Sequence, residues 1–209
     1  QILEYGMYDV VLEKIIQFIS DTPSIRNILD VGCGEGFYAR QIQQRTERNI
    51  FAFDLSREAI QIASKKDKRK AVKWFVTDLS KIPLKDGSMD CILDIFSPAH
   101  YKEFQRLLSH NGYVVKVIPT KNHLREIRTK VQAHLKNPDY SNESVVECFE
   151  KYLKTISRET VSATVQLSSE QRMSFIEMTP LLFCVEKDCV DWRTLTHLTI
   201  EADVLIGMY

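Results

Sequence analysis

The chain has 209 residues, of which 44% are hydrophobic and 27% are charged, so it has the composition of a globular domain and not of a disordered or collagen-like chain. Its 28 basic and 28 acidic residues cancel, which argues against a protein whose whole surface binds nucleic acid. No apolar run is long enough to cross a bilayer, and no secretory signal opens the chain.

The five cysteines are scattered, odd in number and without a C-x-x-C pair: Cys33, Cys91, Cys148, Cys184 and Cys189. This spacing argues against a disulfide framework and against a four-cysteine zinc site, so we expect no bound metal. Free, mostly buried thiols are typical of a reducing compartment, and we expect a cytoplasmic protein without membrane contact.

The first 120 residues alternate between helical and strand patterns. Apolar spacing predicts helices over residues 8–19, 36–46, 56–66 (with Ser56 as N-cap) and 102–108, and strands over 28–31, 50–53, 72–76, 89–95 and 112–118. Such alternation implies right-handed crossovers between parallel strands. The sequence therefore predicts a doubly wound α/β fold.

The pattern changes after residue 120. We predict a basic helical stretch over 121–136, a helix over 142–154, a strand over 160–167, a helix over 169–177 and a long last strand or strand pair over 195–208. Ser168 and Gln171 form a capping-box signature at the start of the helix over 169–177. Without repeats or linkers, residues 1–209 are assigned to one domain with a helical insertion over about 121–158.

A glycine-rich turn joins the first strand to its helix. Asp30, Gly32, Gly34 and Gly36 form the pattern D-x-G-x-G-x-G, and the glycines allow a tight turn and a close ligand approach. A dinucleotide fingerprint would place a third glycine at position 37, where the chain has Phe37. The turn thus favours a cofactor site at the strand ends, but not one for NAD.

Further candidates follow the next three strands. Asp54 and Leu55 follow the second strand, where an acid can accept hydrogen bonds from ribose hydroxyls. Asp78 and Leu79 follow the third, where a carboxylate and an N–H can meet an adenine ring, and residues 94–98 follow the fourth, where a methyl donor would point. Each has a structural alternative, such as helix capping by Asp54. Their order together predicts a site for S-adenosylmethionine.

Four segments resemble a known family: ILDVGCGEG (28–36), AFDLS (52–56), TDLSKIPLKDGSMDCILDIFSP (77–98) and LLSHNGYVV (107–115). Across about residues 25–120 they are similar to the class I methyltransferases, which use S-adenosylmethionine. The resemblance implies a Rossmann-like, seven-stranded, mostly parallel sheet with an antiparallel last strand. It does not identify the substrate.

Three shorter motifs resemble one subfamily, the bacterial large-subunit (23S) ribosomal RNA guanine-N1 methyltransferases. They are G-x-Y at Gly6–Tyr8, P-x-x-x-H-L-x-E at Pro119–Glu126, and M-T-P at Met178–Pro180. Carried over position by position, the resemblance implies four contacts to the methyl donor: Tyr8, Gly34, Glu35 and His123. A half-buried aromatic and a histidine satisfied by backbone are the structural alternatives for Tyr8 and His123.

The chain departs from that subfamily in one respect. The subfamily normally opens with a small zinc-binding module, whose Cys and His ligands are not found here. Because the chain begins with Gln1 instead of Met, we expect that residues precede it. The alternative is a relative with a different substrate. Relatives in this subfamily can form dimers, so the sequence leaves open whether this chain forms a homodimer.

The implied chemistry is methyl transfer to N1 of a guanine. The proton on that nitrogen must leave, and Asp94 is the candidate acceptor by motif position, with a purely structural strand-end carboxylate as the alternative. A guanine in folded RNA must be splayed out, and Phe96, Ser97 and Pro98 can form a wall for it.

Charge is divided along the chain, although the total is zero. Residues 121–136 hold five basic residues and one acidic residue, a second basic cluster lies over residues 65–73 (diluted by Asp67), and residues 176–209 hold six acidic against two basic residues. The basic stretches favour ribosomal RNA as partner, with a solvated helix face as the alternative.

Two rival functions remain for the whole protein. They are methylation of a small molecule and regulatory binding of S-adenosylmethionine without turnover.

Overall fold

The computed structural model describes residues 5–132, 140–183, 185–187 and 190–209. Seven α-helices lie in these ranges: α1 (Asp9–Asp21), α2 (Phe37–Thr46), α3 (Arg57–Lys66), α4 (Tyr101–Leu107), α5 (Arg125–Val131), α6 (Glu143–Tyr152) and α7 (Ser169–Met178). Seven strands accompany them: β1 (Asn27–Val31), β2 (Asn49–Asp54), β3 (Val72–Val76), β4 (Met89–Ile95), β5 (Leu108–Pro119), β6 (Lys154–Gln166) and β7 (His197–Met208). The helix predicted over 121–136 begins only at Arg125, because residues 121–124 form a turn that ends with Leu124 at a positive φ. Residues 133–136 of that stretch, as well as Cys184 and Cys189, fall outside the described residues.

The seven strands form one sheet in the order β3-β2-β1-β4-β5-β7-β6. Strands β1 to β5 pair in parallel, whereas β7 runs antiparallel to both of its neighbours, β5 and β6. This arrangement confirms the predicted mostly parallel α/β sheet with an antiparallel last strand. Because β7 lies between two strands, it is buried along most of its length, while β6 at the edge alternates between exposed and half-buried residues.

Helices cover both faces of the sheet. One core cluster packs α1 and α2 against one face, and a second packs α4 and α6 against the other. A third cluster joins α5 and α7 to the first half of β7. The third cluster brings the carboxyl-terminal third of the chain next to the strand ends, which matters for the site below.

Most predicted elements are confirmed, and the differences have local causes. Strand β5 begins at Leu108, four residues before the predicted start at Gly112, because Leu108 already pairs with Met89 of β4 and residues 109–112 form an irregularity before the regular pairing resumes at Cys91 and Tyr113. Strand β6 begins at Lys154, six residues before the predicted start at Thr160. The two predicted caps are present: Ser56 accepts from Ala59 N–H, and Ser168 with Gln171 forms a capping box.

No helix in the described part of the chain is long and apolar enough to span a membrane. The helices α5 and α6 lie within the segment assigned to the insertion. The assignment of residues 1–209 to a single domain stays a prediction.

Candidate functional site

The carboxyl ends of β1, β2 and β4 meet at the point where the strand order reverses. Val31 at the end of β1 is in register with Phe53 of β2 on one side and with Asp94 of β4 on the other. Strand β1 leads into α2 on one face of the sheet, whereas β4 leads towards α4 on the other. A crevice opens at such a switch point, and ligands of doubly wound sheets bind there.

The glycine turn lines this crevice, and its three glycines have different surroundings. All have positive φ, at 64° for Gly32, 54° for Gly34 and 72° for Gly36. An added Cβ would lie 2.3 Å from a Trp74 ring carbon at Gly36 and 2.9 Å from Ser97 Cβ at Gly32, but would meet nothing within 4 Å at Gly34. Gly32 and Gly36 are therefore required because a side chain at either position would clash with its neighbours. Gly34 leaves open space towards the crevice.

A cavity of about 540 Å³ occupies the crevice. It brings together seven of the predicted site residues: Tyr8, Asp30, Gly32, Gly34, Glu35, Phe96 and His123. It is also lined by nine residues that sequence reasoning missed: Cys33, Tyr38, Ile95, Pro119, Leu124, Arg128, Phe175, Thr179 and Leu181. Several of the missed residues belong to α5, α7 or the turn after it, which reach the crevice only through the third core cluster.

Asp30 is the most perturbed acid that lines the cavity. Only 2% of its surface is exposed, and burial raises its pKa to about 8, with smaller contributions from Asp94 and Asp54. Among the described residues, no donor reaches Asp30 Oδ2 or the buried hydroxyl of Tyr38. Two buried polar atoms that line a cavity without partners favour a polar ligand there.

An aromatic wall consists of Tyr8, Phe96 and His123. The ring centroids lie 5.6 Å apart for Tyr8 and Phe96, 5.9 Å for Tyr8 and His123, and 5.7 Å for Phe96 and His123. Phe96 is 38% exposed and has a φ of 55°, so the strand end is bent to present its ring.

His123 is held in one neutral form. Its Nδ1 accepts from the backbone N–H of Glu201 at 3.3 Å, and burial lowers its pKa to about 4. The remaining proton therefore lies on Nε2, which is 3.4 Å from the hydroxyl of Tyr8. The sequence left two interpretations of His123 open, a backbone contact and a cofactor contact. The backbone contact is present, and the side chain also lies on the cavity wall.

Five predicted cofactor residues do not line this cavity: Gly36, Asp54, Leu55, Asp78 and Leu79. Asp54 accepts from the backbone N–H groups of Gly34 at 2.9 Å and of Ser56 at 2.8 Å, so it braces the glycine turn. The Ser80 hydroxyl and backbone N–H hold the pKa of Asp78 below its usual range, and Leu55 is 71% exposed. Their assignment to a cofactor stays a prediction.

The side chain of Glu35 takes part in an ion pair. Its carboxylate lies 2.7 Å from Lys66 Nζ, which lowers its pKa, and its carbonyl oxygen accepts from Arg40 at 2.6 Å. A contact between Glu35 and the cofactor would therefore involve its backbone or a carboxylate that is already paired with Lys66.

Asp94 lies below the cavity surface, fully buried, and does not line the cavity. It forms an ion pair with Lys116 at 2.8 Å and accepts from the Ser97 hydroxyl at 2.6 Å, while burial raises its pKa to about 6. This position suits a residue that holds the strand end and does not favour direct proton abstraction from a substrate. Ser97 and Pro98 line a neighbouring cavity of about 610 Å³ and not this one.

The described cysteines are free, with Cys91 buried, Cys33 half-buried and Cys148 exposed. Burial raises the pKa of the Cys33 thiol, which therefore stays protonated and unreactive. Within the described ranges, no group of three or more His, Cys, Asp or Glu residues could hold a metal ion.

The residues of the cavity fit the amino-acid end of S-adenosylmethionine. That end carries an ammonium and a carboxylate, and the cavity offers two buried polar atoms that no described residue satisfies, the carboxyl oxygen Oδ2 of Asp30 and the hydroxyl of Tyr38. Gly34 leaves room beside them. Asp54 still has lone pairs for ribose hydroxyls beyond its two backbone bonds.

Comparisons with known proteins agree with this geometry. Residues 28–117 match the methyltransferase domain family. The chain is 31% identical, over 98% of its length and 76% of the relative's, to a Bacillus subtilis (strain 168) protein named as a candidate 23S rRNA guanine-N1 methyltransferase.

Two further similarities are more distant. A Streptomyces fradiae 23S rRNA (guanine(748)-N1)-methyltransferase is 24% identical over 73% of this chain and 54% of its own, so the chain spans about half of that relative. A solved structure of a SAM-dependent methyltransferase from Aquifex aeolicus shares the fold, with a TM-score of 0.56 and 20% identity over 72% of this chain and 83% of that one.

Proposed function

The chain belongs to the class I S-adenosylmethionine-dependent methyltransferases, and we propose that it methylates N1 of a guanine in 23S ribosomal RNA. The similarity to the Bacillus subtilis relative, over nearly the whole chain, carries the choice of substrate. A cytoplasmic location, where ribosomal RNA is modified, is part of this proposal.

When bound, S-adenosylmethionine supplies a methyl group activated by its positively charged sulfur. Asp30 and Tyr38 would hold the amino-acid end, since both carry buried polar atoms that no described residue satisfies. Gly34 would lie against the cofactor backbone, and Asp54 would accept from the ribose. Leu55, Asp78 and Leu79 are proposed for the adenosine end, in keeping with their positions after β2 and β3.

Alignment and exclusion of water are the main tasks of the remaining residues. Tyr8 and His123, which the resemblance assigns to the methyl donor, form an aromatic wall together with Phe96, on whose exposed ring a splayed base can stack. The buried Asp94–Lys116 pair fixes the strand end that carries Phe96, because Lys116 Nζ also donates to the carbonyl oxygen of Ser97. We therefore propose Asp94 as a positioning residue.

A basic groove between α2 and α3 supports an RNA substrate. Lys65, Lys68 and Arg69 are exposed and line this groove together with Arg40. The one acid among them, Asp67, is buried and accepts from Val72 N–H and Trp74 Nε1, both at 3.1 Å. The acid that dilutes this cluster in the sequence is therefore directed inward, and the outer surface is cationic.

The test is methyl transfer from radiolabelled S-adenosylmethionine to ribosomal RNA from cells that lack the gene, with a metabolite extract in parallel. Label on the RNA is expected. Label confined to the metabolite fraction would instead support a small-molecule methyltransferase. Binding of S-adenosylmethionine without transfer to either fraction would support a regulatory protein.

A further inference from the structure

Arg128 lines the same cavity as Asp30 and the aromatic wall. It lies on α5, and its Nε donates to the carbonyl oxygen of His123 at 3.1 Å. The centre of its guanidinium group lies 4.9 Å from the centroid of the Tyr140 ring. These two contacts fix the plane of the guanidinium group next to one of the three rings of the wall.

Among the described residues, the Arg128 guanidinium has no acidic partner. Within the described part of the chain, no carboxylate forms an ion pair with it and no acceptor takes its two terminal NH2 groups. Burial lowers its pKa, but a guanidinium stays charged at neutral pH. Arg128 is half-buried and its terminal N–H groups are not among the buried polar atoms without partners, so they are open to the cavity and can donate to a ligand with two adjacent acceptors.

Two ligand groups could supply such acceptors: the carboxylate of the cofactor and the edge of the base to be methylated. The partnerless atoms of Asp30 and Tyr38 already suit the amino-acid end of the cofactor. Arg128 instead adjoins the aromatic wall through His123, and an aromatic wall is what a base requires. The O6 and N7 atoms of guanine match the two-donor fork of arginine.

We propose that Arg128 is the specificity-determining residue of this cavity and donates to O6 and N7 of the guanine, whose ring stacks on Phe96. This inference rests on the proposed function. A contact on the O6–N7 edge leaves N1 free to face the methyl donor. As the N1–CH3 bond forms, the S–CH3 bond breaks with its electron pair left on sulfur, and the N1 proton passes to water. The negative charge that develops on N1 is shared with O6, where the guanidinium stabilises it.

The experiment combines a protein change with a change of one substrate atom. Ribosomal RNA is transcribed with GTP or with 7-deaza-GTP, which lacks the N7 acceptor, and methylated by wild type, Arg128→Ala and Arg128→Gln. On normal RNA we expect kcat/KM to fall about 10- to 100-fold for Arg128→Ala, with an unchanged Kd for S-adenosylmethionine. The 7-deaza RNA should slow the wild type, but not slow Arg128→Ala any further.

Arg193→Ala is the control, because Arg193 is an exposed arginine, is paired with Asp191, and lies outside both the cavity and the two basic stretches. It should leave both constants unchanged. The proposal is overturned if the Kd for S-adenosylmethionine weakens as much as kcat/KM, since Arg128 would then hold the cofactor. It is also overturned if the 7-deaza RNA slows all variants equally. A wild type that methylates neither RNA would refute the proposed function itself, whereas N1 methylation at full rate by both Arg128 variants would refute only this inference.

Discussion

Binding of S-adenosylmethionine should release a proton from Asp30. Burial raises the pKa of this carboxyl to about 8, so at pH 7 most molecules of the free protein carry it protonated. The ammonium of the cofactor favours the ionised form. If binding requires an ionised Asp30, the affinity rises about 5-fold between pH 7 and pH 8, and close to one proton leaves per binding event at pH 7.

Few other groups near the cavity titrate in that window. His123, with a pKa of about 4, is neutral throughout, and Asp94, with a pKa of about 6, is already largely ionised at pH 7. Burial raises the pKa values of Tyr38 and Cys33, which stay protonated. Isothermal titration calorimetry at pH 7 and 8, in buffers with different ionisation enthalpies, measures the affinity for S-adenosylmethionine and the number of protons released on binding.

Asp30→Asn is the matched variant because it keeps the size of the side chain and cannot ionise. It should bind S-adenosylmethionine about 10- to 100-fold more weakly at pH 8, with no proton release and a flat pH dependence. The folding stability of the free protein depends on pH in the opposite direction from cofactor affinity. A raised pKa in the folded state means that stability is lost as pH rises from about 4 through 8, and the variant should not show this loss. Wild-type affinity that is independent of pH, or an affinity that rises equally with pH in the variant, would show that Asp30 does not ionise on cofactor binding.

Three further predictions follow from single positions. Gly36→Ala should destabilise the protein by about 2–5 kcal/mol in urea unfolding, because the added methyl group meets the indole ring of Trp74. Gly34→Ala should cost only about 1–2 kcal/mol of stability but should weaken cofactor binding. Equal losses of stability in the two variants would contradict this difference. Lys116→Met should cost about 3–5 kcal/mol, since it leaves Asp94 buried and unpaired, and joint replacement of both residues by apolar ones should recover much of it. Tyr38→Phe should leave the Tm of the free protein unchanged or higher, because it removes an unsatisfied hydroxyl, but weaken cofactor binding in calorimetry; a large Tm loss would show that the hydroxyl has a partner.

Sequence patterns were sufficient for the elements that are buried runs bounded by turns. Strands β3 and β4 begin and end where the sequence predicts them, because five to seven apolar or alternating residues lie between polar turns. The predicted strand over 160–167 begins six residues later than β6, since β6 lies at the sheet edge, where exposed residues such as Arg158 and Glu159 leave no apolar signal. Only pairing with β7 defines its first half.

The site was predictable where it is made from strand ends, and not where distant helices complete it. Asp30 and Phe96 follow directly from the strand pattern, whereas Arg128 and Phe175 reach the cavity through tertiary packing that no local motif encodes. The pairing of Asp94 with Lys116 did have a signal. A lone lysine within the apolar run of β5 needs a partner, and the β4–β5 register places the two residues side by side.

The chemical identity of the methylated nucleoside shows whether this protein transfers the methyl group to N1 of guanine. Ribosomal RNA from cells that lack the gene is treated with the protein and S-adenosylmethionine, digested to nucleosides, and separated by liquid chromatography with mass spectrometry against the isomeric methylguanosine standards. We expect 1-methylguanosine, and we expect its loss when the Asp30→Asn protein is used at the same limiting cofactor concentration. Methylguanosine substituted at N2 or N7, or RNA that stays unmethylated, would contradict this expectation.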